Sequence, residues 1–189
     1  WRGALLWQPS DTFNLRYSYD RSEIEDTPAF IAAVPLYPAK GKRPTHGSPL
    51  VQDLKRNDGV AQGHNITATW DVADALTLKS ITGYRKLKSW TNQNYLSGVL
   101  GPFTLLEVDS SLKHKQFSQE FQAIGDIGDR LQYVLGLYYF EEKADGFGVT
   151  WQPPRSQRDD RALHIENKAY AAYGQATFTP ALPRWRSFP

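Results

Sequence analysis

Four histidines, His46, His64, His114 and His164, are the side chains of this chain best suited to hold a transition metal. No two of them stand at a spacing that sets a pair of ligands on one element, so structural or solvated histidines are the better reading. Asp159-Asp160 and the group Glu23, Glu25 and Asp26 carry enough charge to attract a cation at a loop, yet charged loop tips are ordinarily just solvated. Asn65-Ile66-Thr67 spells a glycosylation acceptor, but it falls inside an alternating strand pattern and reads as a chance match. No nucleophile elbow, phosphate-binding loop or paired-carboxylate motif is present. With no cysteine there is neither a disulfide nor a thiolate metal site. The chain reads as a non-enzyme with no metal and no cofactor.

The elements that would position any side chain are strands, and they come in pairs. Alternation marks strands at 11–21, 63–71, 76–90, 115–124, 131–143 and 168–179, with a weaker one at 2–8. Short turns are expected at 9–11, 72–75 and 125–130, and long excursions at about 22–62, 91–114 and 144–167. Short connections at one end and long ones at the other are the plan of outer-membrane β-barrels, with brief periplasmic turns and large extracellular loops.

Within each strand the side chains sort onto two faces, because the pleat repeats every two residues. Phe13, Leu15, Tyr17 and Tyr19 share one face, with Thr12, Asn14, Arg16, Ser18 and Asp20 on the other. Ile66, Ala68 and Trp70 oppose Asn65, Thr67 and Thr69, and Leu131, Tyr133, Leu135, Leu137 and Tyr139 oppose Gln132, Val134, Gly136 and Tyr138. Tyr170 and Phe178 stand at the two ends of one face, about 26 Å apart along the strand, as the aromatic girdles of a barrel would. Two strands fit less well. The strand at 115–124 turns Gln119 outward with Phe117 and Phe121, and that at 76–90 turns Ser80 and Thr82 outward and ends in Lys86, Lys88 and Trp90. The far half of this second strand is expected to rise clear of the membrane as a loop hairpin.

Aromatic residues are 13 % of the chain, although its mean hydropathy is negative. That combination suits a barrel with one face to lipid and one to water. No run approaches the roughly 20 apolar residues a spanning helix needs. The net charge of +2 comes from near-balanced acids and bases, without the basic clusters interleaved with stacking aromatics that nucleic acid demands. No signal peptide opens the sequence and no methionine occurs, so both ends read as cut from a longer product.

Five phrases resemble strands of a TonB-dependent receptor, the plugged barrel of Gram-negative outer membranes. They are WQPSDTFNLRYSY at 7–19, LTLKSITGYR at 76–85, FSQEF at 117–121, YVLGLYYF at 133–140 and YAAYGQA at 170–176. Each is weak alone; their order, with turns and loops between, carries the resemblance over most of the chain. It implies an all-β fold of antiparallel up-and-down strands, about seven in number, forming an incomplete transmembrane β-barrel over residues 1–189. The plug domain and the short TonB-contacting box of the family are absent from this sequence, and such barrels close with about 22 strands. An internal barrel fragment of the cell outer membrane is therefore implied. Its parent would import a scarce nutrient, most often a ferric siderophore, with energy relayed by the TonB complex through the missing plug. Its partners would be outer-membrane lipid, that complex and the ligand, with no nucleic acid. A passive porin-like barrel and a soluble β-sandwich binding module stay open as alternatives.

On that reading Asn14, Arg16, Asp20, Lys79, Arg85, Glu120 and Gln122 face the lumen, where they hold the plug or simply keep the interior wet. Tyr37, Lys42 and Arg43 in the first long loop, and Trp151, Arg155 and Arg158 in the last, are the candidates to contact an anionic ligand, because loops carry function while the scaffold positions them.

Overall fold

The computed structural model describes residues 1–28, 30–31, 55, 57–95 and 106–180. They form one open antiparallel sheet, and no α-helix occurs among them. Its strands are β1 (Arg2–Ser10), β2 (Phe13–Asp26), β3 (Phe30–Ile31), β4 (Asn57–Ala73), β5 (Leu76–Tyr95), β6 (Leu106–Ile127), β7 (Leu131–Gln152) and β8 (Gln157–Phe178). The order across the sheet is β1-β2-β4-β5-β6-β7-β8, so each long strand pairs with its neighbour in sequence. The two-residue β3 lies parallel to β5 at Asn94 and Tyr95, beyond the point where β4 ends its pairing with β5 at Asp58↔Trp90.

The turns are tighter than the sequence implied: residues 11–12, 74–75 and 128–130. Thr77 closes the second by donating to Asp71 at 2.6 Å, and Gly128 takes the left-handed φ of 59° that the third requires. Bulges lie just before the first two turns, between Trp7 and Ser10 and between Asp71 and Ala73.

At the other end the expected excursions need correcting. Residues 144–167 are not a loop. β7 and β8 stay in register from Leu131↔Phe178 out to Gln152↔Gln157, and the hairpin closes through a single 3₁₀ turn at Pro153–Arg155 with Ser156 left-handed. The alternation continues there through Phe147, Val149 and Trp151, and cross-strand pairs such as Lys143–Glu166 (3.0 Å) and Arg161–Thr150 (3.1 Å) support it. The far half of β5 runs on as one side of a hairpin with β6, paired without interruption to Tyr95↔Leu106. The strands are long because the ladder, once in register, adds hydrogen bonds that a tally of apolar residues does not see.

Among the described residues no second sheet covers this one. The largest fully buried side chains are Asn92, Asn94 and Pro28, whereas Leu137 is 61 % exposed and Phe121 54 %. A packed sandwich buries the apolar face of each sheet against the other; these apolar residues meet their neighbours within the sheet but no second layer among the described residues. The described residues thus form a single sheet rather than the two of a β-sandwich.

Candidate functional site

Register decides which side chains share a face. One set runs Phe13↔Trp70↔Leu78↔Ala123↔Leu135↔Gly174 across six strands, followed by Leu15↔Ala68↔Ser80↔Phe121↔Leu137↔Ala172. The faces read strand by strand from alternation therefore coincide across the whole sheet. Aromatics bound this apolar face on both sides. On the long-connection side Tyr19, His64, Tyr84 and Phe117 stand in direct register, and the row then steps one pair position to Tyr139↔Tyr170. Its rings touch: Trp1–Tyr19 at 4.9 Å, Tyr19–His64 at 4.6 Å, Phe117–Tyr139 at 6.1 Å and Tyr139–Tyr170 at 5.0 Å between centroids. On the turn side the boundary descends in the same sense, from Trp7 through Phe13 and Trp70 to Tyr133 and Phe178. Between the rows, Tyr84 to Leu76 and Tyr139 to Leu131 each span about 26 Å of strand, or about 20 Å at a tilt near 40°.

The polar residues that disturbed this face in the sequence satisfy one another. Thr82 donates to Gln119 Oε1 at 2.6 Å, and Gln119 Nε2 donates to Ser80 at 3.0 Å. A closed cluster of this kind lets an amide stand in apolar surroundings without an orphaned donor.

The opposite face carries all seven residues assigned to a lumen. Asn14, Lys79 and Gln122 fall in one row, Arg16 and Glu120 in another, Asp20 and Arg85 in a third. Arg85 Nη2 reaches Asp20 at 3.1 Å across Gly63, where a side chain would meet both groups. Both partners are well exposed, so a double-mutant cycle of Asp20→Ala with Arg85→Ala, read by denaturation of the folded chain, gives a coupling below about 1 kcal/mol. Gln122 Nε2 donates to Glu120 at 2.7 Å and to the Tyr173 hydroxyl at 3.0 Å, while that hydroxyl donates to Glu120. A shallow hollow on this face is lined by Arg2, Arg16, Ser18, Asn65 and Thr67.

Sequence reasoning missed Tyr173 as a polar-face residue. It also missed the group in which His114 (3.1 Å) and Asn167 (2.7 Å) converge on Glu142. Alternation puts each of these on the polar face, but only the pairing of three strands brings them within reach. Also unforeseen are Asn92 and Asn94, 0 % and 1 % exposed near the far end of β5. Asn92 Nδ2 donates to Glu107 at 2.9 Å and to Asp109 at 2.8 Å, and Lys55 joins both carboxylates, its ammonium held above the usual range chiefly by hydrogen bonding to Glu107.

Of the ligand candidates, Trp151 and Arg158 are strand residues in direct register, not loop residues, and Arg155 lies in the tip beside them. Arg158 is taken up by Asp160 at 2.8 Å. Tyr37, Lys42 and Arg43 lie outside the described residues, as does His46. His64 meets Tyr17 at 2.8 Å and His164 meets Asp145 at 2.6 Å. No cluster of three or more metal-ligating side chains occurs among the described residues. No protein family, curated protein or solved structure matches the chain.

Proposed function

We propose that this chain is part of a transmembrane β-barrel of the Gram-negative outer membrane, of the TonB-dependent receptor type, with its apolar face to lipid and its polar face to the lumen. The observation that carries the membrane part is the oblique apolar band. Its turn-side aromatic boundary steps down by about one residue per strand, as a band parallel to a membrane must when the strands tilt by 35–45°, and its loop-side row, level over four strands, steps the same way at Tyr139 and Tyr170. The open sheet supports membership of a larger barrel. β1 and β8 point the same way, so an antiparallel seam needs an odd number of further strands between them. An unpaired edge in lipid would leave backbone groups without partners.

The receptor assignment rests on the five sequence phrases. On it, the work is ligand binding outside, rearrangement of a plug and release inside, with no covalent chemistry. The nutrient is a ferric siderophore or a comparable scarce anion, and the energy arrives through the TonB complex.

Two experiments test this. The chain is refolded in buffer, in detergent and with lipid vesicles, and followed by circular dichroism and flotation. Strand structure that floats with vesicles is expected, and a folded monomer in plain buffer would overturn the membrane reading. Sequencing the source DNA on both flanks tests the receptor part. An in-frame plug segment upstream supports it; barrel strands without a plug replace it with a passive porin.

A further inference from the structure

Just beyond the loop-side aromatic row the apolar face turns cationic. Lys86↔Lys115↔Lys143 stand directly opposed on three neighbouring strands, and Lys88↔Lys113 are opposed one pair position farther out. Like charges directly opposed across a sheet destabilise it, so their placement calls for a compensating anion. Lys143 has one, in Glu141 at 3.2 Å and Glu166 at 3.0 Å. Among the described residues Lys86, Lys88, Lys113 and Lys115 have no acidic partner; Lys86 lies 5.1 Å over the Tyr84 ring, and Asp145, opposite Lys113, is engaged by His164.

Resting on the membrane reading, we propose that these lysines bind the anionic phosphate groups of lipid headgroups on the loop side of the membrane. The position selects a lipid over a free anion. The lysines border an apolar, aromatic-edged surface that takes acyl chains, and cations near such a surface gain from anionic headgroups. A phosphate offers several acceptor oxygens, so one headgroup can bridge two or three ammonium groups and relieve their repulsion.

The test uses the full chain in zwitterionic phosphatidylcholine bilayers, titrated with bis-phosphorylated lipid A and read by native mass spectrometry and thermal shift. The variant combines Lys86→Gln, Lys88→Gln, Lys113→Gln and Lys115→Gln. In the zwitterionic bilayer the variant is as stable as the parent or more so, because repulsion is removed. Lipid A binding to the parent is at least about tenfold tighter than to the variant, and weakens with salt. A control variant on the other face, Arg16→Gln with Lys79→Gln, binds lipid A like the parent. Equal binding by the parent and the lysine variant overturns the proposal while leaving the membrane reading intact. Displacement of lipid A by millimolar inorganic phosphate overturns the choice of lipid over free anion. A parent chain that enters no bilayer sinks the membrane reading, and this proposal with it.

Discussion

Replacing Leu137 by arginine sharply reduces the stability of the chain in lipid, while the same charge placed at Gln122 does little. Leu137 sits midway across the apolar band, between Phe121 and Ala172, and is 61 % exposed. If that exposure is to hydrocarbon, an arginine there costs about 2–4 kcal/mol, roughly 30- to 800-fold in the folding equilibrium. Gln122 lies on the neighbouring strand at similar depth but on the opposite face, where a guanidinium meets water and Glu120. Denaturant titration of both variants in vesicles gives the comparison. Equal losses at the two positions would mean that the faces do not differ in solvent, and the barrel reading would fall.

Gly136→Ala is the second large effect, and it acts through Tyr173. The Tyr173 ring lies across the bare backbone of Gly136 on its way from β8 to Glu120 on β6; a methyl group there would stand 2.1 Å from the ring's Cζ. The three nearest atoms all belong to the far end of the Tyr173 side chain, so it is the ring that swings aside. With it go the hydroxyl's donation to Glu120 and the contact with Gln122. Loss of a hydrogen bond to a charged group costs about 1.5–3 kcal/mol where it is buried, and less here, because Tyr173 is 41 % exposed and its freed hydroxyl meets solvent. We expect about 1–2 kcal/mol in the same titration, against almost nothing for Gly3→Ala, whose added carbon meets no atom within 4 Å. Combining Gly136→Ala with Tyr173→Ala removes the clash, so the pair costs less than the sum of the two. Strict additivity would show that the ring does not occupy that position in solution.

Much of this architecture was legible in the sequence because a strand writes its own face assignment. Phe13, Leu15, Tyr17 and Tyr19 alternate with Asn14, Arg16, Ser18 and Asp20, and nothing outside the strand is needed to sort them. Turn residues at 9–11 and 72–75 located the first two short connections for the same local reason, although the turns themselves fall at 11–12 and 74–75. Lys79, Glu120 and Gln122 share one face for the same reason, since each inherits it from its strand. What alternation does not encode is where a ladder stops. Residues 144–167, rich in charge, looked like a loop, yet all but the tip at 153–156 gain a partner across the hairpin, and Trp151 and Arg158 became strand residues in consequence.

The register between strands belongs to the tertiary structure alone. A shift of two residues keeps every side chain on its face and changes all of its neighbours. Only the actual pairing reveals that Gln119 is answered by Ser80 and Thr82, that Tyr173 crosses Gly136 to reach Glu120, and that five lysines from three strands converge at one border. The obliquity of the apolar band is likewise a property of the assembled sheet, since it is a relation among seven strands and resides in none of them. The sequence by itself determined the faces, which depend on local pleat geometry; the fold decided the contacts, which depend on long-range pairing.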